Sequence, residues 1–184
     1  MEAKRQRELE KELSAALGRS FPGLSVEIAH SDRWKRMAVT FRWAGFADLL
    51  PEERFHRLVG ELPEDILKKK LDGFVWLELT AEESVDEFLE LPRSEDVAPK
   101  ERDIFEALKK LKFFDALQES LGRSPQKKCT GDFAKSEAAL KSAKAPATRV
   151  REAKLVFIRH GAYCDCQVLQ TVAPALARQY AKVS

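Results

Sequence analysis

The sequence predicts an α+β fold, in which an α-β-β-α-β unit with a small three-stranded sheet precedes an all-helical C-terminal unit. Residues 24–28 and 36–43 alternate between apolar and polar side chains, as half-buried strands do. Residues 74–79 form a short apolar run that is typical of a central strand. Beyond residue 100 the apolar residues recur at helical spacing.

The predicted first unit, residues 1–91, begins with an amphipathic helix over residues 2–18. A short polar turn between the first two strands predicts a hairpin. Pro51 opens the next helix, because proline suits the first helical turn. A further helical turn leads into the third strand, and Thr80-Ala-Glu-Glu predicts a capping box for a helix over residues 81–91.

The predicted second unit, residues 100–184, follows a linker over residues 92–99, which is polar and bounded by prolines. Its predicted helices cover residues 100–121, 132–143, 148–159 and 172–183. The third of these is ambiguous, since Leu155–Ile158 has the composition of a strand. Helix is favoured because the polar first half of the segment has no strand signal, and His160-Gly161 forms a helix-ending turn.

Composition limits the classes of protein that the chain can represent. With 44% apolar and 34% charged residues, the 184-residue chain should fold around a packed core. No stretch approaches the roughly 20 apolar residues that span a bilayer, and the charged start lacks the apolar core of a secretory signal. We therefore expect a cytoplasmic location and no membrane partner.

The charge is distributed unevenly between the two halves. Residues 1–98 contain 15 basic and 21 acidic residues, whereas residues 99–184 contain 17 basic and 9 acidic residues. This asymmetry predicts either complementary packing of the two units or different partners, with nucleic acid as the candidate for the basic half. The basic residues that would contact it are Lys127, Lys128, Lys135, Lys141, Lys144, Arg149, Arg151 and Lys154.

A candidate metal site lies in the second unit. Cys129, Cys164 and Cys166 are the only cysteines, and with His160 they form a Cys3His set. Thiolate and neutral imidazole are the preferred ligands of zinc, usually four in a tetrahedron, so zinc is the predicted cofactor. Cys164 and Cys166 cannot face one ion from one side of a regular helix, but they can converge in a turn before a helix, which Gly161 permits.

Two other interpretations of the cysteines stay open. Free cysteine is often a small buried apolar residue with no ligand. The Cys164-Asp-Cys166 pair would also suit thiol-redox exchange, because a disulfide across one residue is strained. No adjacent catalytic partner is identifiable for that chemistry.

The run Gly161-Ala-Tyr-Cys-Asp-Cys-Gln-Val-Leu169 resembles the closing signature of a small uncharacterised bacterial domain family, approximately Gly-Gly-Tyr-Cys-Asp-Cys-Glu-Val-Leu. The resemblance covers residues 127–173. The family also has an upstream cysteine ahead of a helix, and Cys129 occupies the corresponding place here. Ala162 and Gln167 depart from the pattern. The resemblance implies a bacterial protein with a site in this region, and it implies no activity.

Gly45 and the helix segment Arg54-Phe-His-Arg-Leu-Val59 resemble BolA-like proteins, which share a topology with type II KH domains. This resemblance covers residues 5–80. It implies that His56 is a ligand of a cofactor, an iron–sulfur cluster shared with a glutaredoxin, with His30 as the second ligand available in the hairpin loop. A KH domain binds nucleic acid through a Gly-x-x-Gly loop, and no such loop lies between the predicted helices of this unit.

Motifs of common enzyme classes are missing from the sequence: there is no P-loop, no Gly-x-Gly-x-x-Gly after a strand, no His-Glu-x-x-His and no Gly-x-Ser-x-Gly. The sequence therefore favours a non-enzymatic binding or adaptor protein with a structural zinc site and an unidentified protein partner. A nucleic-acid-binding or BolA-like regulator and a thiol-redox protein are the alternatives.

Overall fold

A computed structural model describes residues 3–181 and divides the chain into two compact units, residues 1–92 and 93–184. It confirms the α+β class, with a three-stranded sheet in the first unit and helices throughout the second. Within residues 3–181, no helix combines the length and the apolar character that crossing a membrane requires.

The first unit has the predicted α-β-β-α-β order. Strand β2 lies at the centre of the sheet, antiparallel to β1 and parallel to β3. A parallel neighbour requires a crossover, which the second helix and the following turn provide. The elements are α1 (Ala3–Leu17), β1 (Ser25–Ser31), β2 (Arg36–Arg42), α2 (Pro51–Glu61), β3 (Val75–Leu79) and α3 (Val85–Glu90), with a 3-10 turn at Ala44–Phe46 and a π turn at Ile66–Lys70.

Both faces of the sheet are buried. Ile28, Val39 and Phe41 have no exposed surface and pack with leucines of α1 and α2. On the opposite face, Leu77 and Phe88 belong to a smaller cluster beneath α3. The alternation of side chains along β2 and β3 therefore supplies two cores, as the pleat of a sheet allows.

The helix predicted over residues 81–91 begins later than expected, which corrects the predicted capping box. Its N-cap is Ser84, whose Oγ accepts from Glu87 N at 3.2 Å while Glu87 Oε2 accepts from Ser84 N at 2.8 Å. Glu83 forms half of the predicted box, because its Oε2 accepts from Thr80 N at 3.1 Å, and the same oxygen also accepts from Nη1 of buried Arg54 at 2.5 Å. The Thr80 box is thus half formed, but the helix begins at Ser84.

Gly45, one of the residues that carry the BolA resemblance, has a steric role in this unit. A Cβ atom at this position would lie 2.3 Å from the Trp43 ring, closer than any side chain allows. That ring packs edge-on against Phe21 and Phe46. The glycine is therefore required by the packing of Trp43.

The second unit is helical throughout, as predicted. The predicted helix over residues 100–121 is divided at Lys112, whose φ of 52° lies in the left-handed region. The segment predicted as a linker forms a 3-10 helix of this unit, with Val97 buried. The helices are 3-10 Ser94–Lys100, α4 (Glu101–Lys110), α5 (Phe113–Leu121), 3-10 Pro125–Lys128, α6 (Ala134–Ser142), α7 (Ala147–Arg159), α8 (Asp165–Gln167), π Val168–Val172 and α9 (Ala173–Tyr180).

The ambiguous segment over residues 148–159 is helical, within α7. Its Phe157 is fully buried and stacks on Phe113 with ring centroids 5.5 Å apart. Phe133, which immediately precedes α6, packs on the other side of Phe157 at 5.8 Å. The core of the second unit therefore extends to the start of α6, where the cysteine-bearing loops lie. The last predicted helix is observed as α9, and residues 182–183 of that prediction lie outside the described residues.

Candidate metal centre

Cys129 lies in a short loop between the 3-10 turn Pro125–Lys128 and α6. Gly131 has φ of 83°, a conformation that glycine adopts without steric cost and that turns the chain toward the helix. Asp132 Oδ1 accepts from Thr130 Oγ1 at 2.6 Å and from Ala134 N at 3.1 Å. These bonds order the loop and satisfy the first free amide of α6.

Cys164 and Cys166 follow the sharp end of α7. Gly161, with φ of 77°, donates from N to Ile158 O at 2.8 Å, and Ala162 N donates to Phe157 O at 3.0 Å. These two bonds form a Schellman motif, so the predicted helix-ending turn is confirmed. The chain then reverses, and Cys164 becomes the extended N-cap residue of α8.

Asp165, between the two cysteines, joins the two loops. Its carboxylate is fully buried and accepts from Lys135 N at 2.9 Å, from Ser136 N at 2.8 Å and from Ser136 Oγ at 2.6 Å. Its own N donates to Asp132 O at 2.9 Å. Asp165 therefore caps α6 from a distant part of the chain, at the helix end where the dipole favours a negative charge.

The hydrogen bonds of Asp165 hold the two loops together and bring three sulfur atoms close to one another. The Sγ atoms of Cys129, Cys164 and Cys166 all lie within 4.8 Å of one another, and those of Cys164 and Cys166 are 3.4 Å apart. In a tetrahedral zinc site with Zn–S distances of about 2.3 Å, neighbouring sulfur atoms would be about 3.8 Å apart. A disulfide would require about 2.05 Å, and all three cysteines are free. The cluster can hold a metal ion.

The three thiols differ in pKa. Burial raises the pKa of Cys129, but the amides of Cys166 and Gly131 and the neighbouring thiols donate to its sulfur and lower the pKa overall. Burial and the other two sulfur atoms raise the pKa of Cys166 to about 12. Burial likewise raises the pKa of Cys164. Of the three, Cys129 is therefore the thiol that ionises most readily.

His160, the predicted fourth ligand, is not part of this cluster. Its Nε2 is buried and lies 3.2 Å from Glu101 Oε2 without forming a hydrogen bond. Glu101 is buried and also accepts from Arg159 Nε at 2.9 Å and from Tyr180 OH at 2.9 Å. Burial opposes the ionisation of Glu101, but the hydrogen bonds from Tyr180 and Arg159, together with the proximity of the His160 imidazole, outweigh it and lower the pKa. The imidazole is thus adjacent to a carboxylate rather than to the sulfur atoms.

His56, the cofactor ligand that the BolA resemblance implies, is exposed on α2. Partial desolvation lowers the pKa of its imidazole. Neither it nor His30, which lies 4.0 Å from Asp32, belongs to a group of three or more potential metal ligands among residues 3–181. An iron–sulfur ligand role for His56 stays a prediction.

The basic residues proposed to contact nucleic acid are partly neutralised within their own unit. Lys154 is buried and donates to Glu137 at 2.9 Å, and Lys141 donates to the same carboxylate at 3.1 Å. Arg149 pairs with Glu152 at 3.2 Å. Three of the eight cations therefore have acidic partners, and nucleic-acid contact by this half stays a prediction.

Comparison with protein-family models, with curated proteins and with solved structures finds no match to this chain. Both family resemblances stay predictions. The sequence predicted that the three clustered cysteines would lie together. It did not predict the roles of Asp165, Ser136 and Glu101. One available signal was the start of α6, where Phe133 occupies the N-cap position and offers no side-chain acceptor.

Asp165→Asn should destabilise the protein by about 1–3 kcal/mol, because a buried amide of α6 loses its charged acceptor. Hydrogen exchange at the Lys135 and Ser136 amides should accelerate. Asp132→Asn is the matched control: it alters a more exposed cap of the same helix and should cost less than about 1 kcal/mol. Urea unfolding by circular dichroism and amide exchange by NMR measure both effects. Equal stability and equal exchange in the two variants would contradict the role assigned to Asp165.

Proposed function

We propose that this chain is a non-enzymatic binding or adaptor protein whose second unit contains a thiolate-bound metal ion, with zinc as the ion. The observation that carries the proposal is the convergence of the Cys129, Cys164 and Cys166 sulfur atoms within 4.8 Å. These atoms come from two loops that are joined by the hydrogen bonds of Asp165. A fold that brings three thiols together at this distance provides most of a zinc site.

The surroundings of the sulfur atoms favour a ligand role over simple burial. All three cysteines are half-buried rather than enclosed in the core. The backbone amides of Cys166 and Gly131 lower the pKa of Cys129, which favours its thiolate form. Such donors are the outer contacts that tune metal-bound thiolates. Three sulfur ligands select borderline or soft ions such as zinc over magnesium or calcium.

The proposal assigns no catalytic step to the site. Asp165, the nearest carboxylate in sequence, is committed to the amides of α6, and the His160 imidazole is adjacent to Glu101. Neither group is within the sulfur cluster as a general base for a metal-bound water. Three reduced cysteines also suit a cytoplasmic location, where thiols are kept reduced.

Protein purified without chelators or a metal-binding tag should contain close to one zinc ion per chain by elemental analysis. Cys129→Ser and Cys164→Ser should each lower the content strongly, because each removes one thiolate. His160→Ala should retain zinc, since the imidazole lies outside the sulfur cluster. Less than about 0.2 zinc per chain in the unaltered protein would reject the proposal. Loss of zinc in His160→Ala alone would reject the assigned ligand set.

The apparent affinity for zinc should rise steeply with pH. Zinc binding must displace the protons of Cys164 and Cys166, whose pKa values are raised, and part of the proton population on Cys129. Near pH 7, about two to three protons should be released per ion, so affinity should increase about 100- to 1000-fold per pH unit. Competition with a chromophoric chelator between about pH 6 and pH 8 measures this slope. A slope below about one proton would contradict three-thiolate binding.

A further inference from the structure

The cysteine cluster supplies three ligands, whereas zinc in structural sites usually has four. Within residues 3–181, no other His, Cys, Asp or Glu places a ligand atom in the group that spans 4.8 Å. Sites with three protein ligands keep the fourth position for water or another exogenous molecule. With three cysteine ligands and a usual coordination number of four, one coordination position of the ion is left for another molecule.

The groups closest in sequence are committed elsewhere. Asp165 is fully buried and receives three hydrogen bonds from α6. His160 contacts Glu101, a buried carboxylate that is also bound by Arg159 and Tyr180. In addition, neither ring nitrogen of His160 lies within 4.8 Å of all three sulfur atoms. The structure thus favours a fourth ligand that does not come from these side chains.

The surroundings indicate which kind of molecule fits. The three cysteines are half-buried, so the cluster is accessible from solvent. Lys127 and Lys128, both exposed, directly precede Cys129 and favour an anionic ligand. An ion that is already bound by three thiolates is best matched by another sulfur donor. In the expected cytoplasmic location, thiols are kept reduced and low-molecular-mass thiols are present.

We propose that the fourth coordination position binds a low-molecular-mass thiol as its thiolate, an inference that rests on the proposed metal site. The thiol releases its proton to solvent, its sulfur forms a bond to the metal ion, and the water that held this position leaves. No electron is transferred. The site would then be a ligand-exchange centre, at which the protein recognises a thiol through its metal.

The test uses the full chain, kept reduced and loaded with Co²⁺, because cobalt absorption bands report the ligand atoms directly. Titration with 2-mercaptoethanol should shift the visible bands in a saturable manner with one thiol per ion. Ethylene glycol, which has a hydroxyl in place of the thiol, should leave the bands unchanged. Because binding is reciprocal, the apparent affinity for Co²⁺ should rise about tenfold at a thiol concentration ten times its dissociation constant.

Each other outcome has a definite meaning. Absence of Co²⁺ binding would overturn the proposed metal site itself, and with it this inference. Bound Co²⁺ whose bands do not respond to the thiol would overturn only the inference. Release of Co²⁺ into the filtrate, with falling affinity, would also overturn it, because the thiol would then compete with the protein. His160→Ala should reproduce the unaltered spectrum and the same response, whereas a changed spectrum would make His160 the fourth ligand.

Discussion

The buried carboxylate of Asp165 is the constraint on which the rest of the candidate site depends. An unpaired charge in this position would cost several kcal/mol, so the second unit is stable only when the amides of Lys135 and Ser136 are aimed at it. Since Asp165 lies between Cys164 and Cys166, satisfying the carboxylate also fixes both thiols beside the start of α6. The bond from Asp165 N to Asp132 O then fixes the loop that carries Cys129. The sulfur cluster is therefore assembled by a helix cap.

This arrangement makes the cluster preorganised, and preorganisation determines its electrostatics. Burial and the two neighbouring sulfur atoms raise the pKa of Cys166 to about 12, whereas hydrogen-bond donors lower that of Cys129, and three adjacent thiolates would repel one another. A divalent ion removes this conflict, because it compensates the charges that the thiolates would otherwise impose on one another. The amide donors around Cys129 add to the same effect. A bound cation would therefore favour the ionised forms of Cys164 and Cys166, whose pKa values are raised.

The sequence allowed the fold class to be predicted because strand alternation and helical spacing are local patterns that tertiary contacts reinforced. It was less informative where a tertiary contact selected between local alternatives. Thr80 and Ser84 each begin a capping motif; the helix begins at Ser84, while Glu83 accepts hydrogen bonds from both Thr80 N and the distant, buried Arg54. Likewise, the left-handed Lys112 divides a segment whose spacing predicted one helix. At the site, the three cysteines were predictable from residue chemistry, whereas the separation of His160 depended on the distant, buried Glu101.

The first coordination shell of the proposed zinc ion is the central claim, and X-ray absorption at the zinc edge measures it directly. For the zinc-loaded protein in buffer without added thiol, the account predicts three sulfur scatterers at about 2.3 Å and one lighter atom at a shorter distance. The lighter atom should show no outer-shell scattering from an imidazole ring, since His160 lies outside the cluster. A shell composed mainly of oxygen, or one with imidazole scattering, would contradict the account.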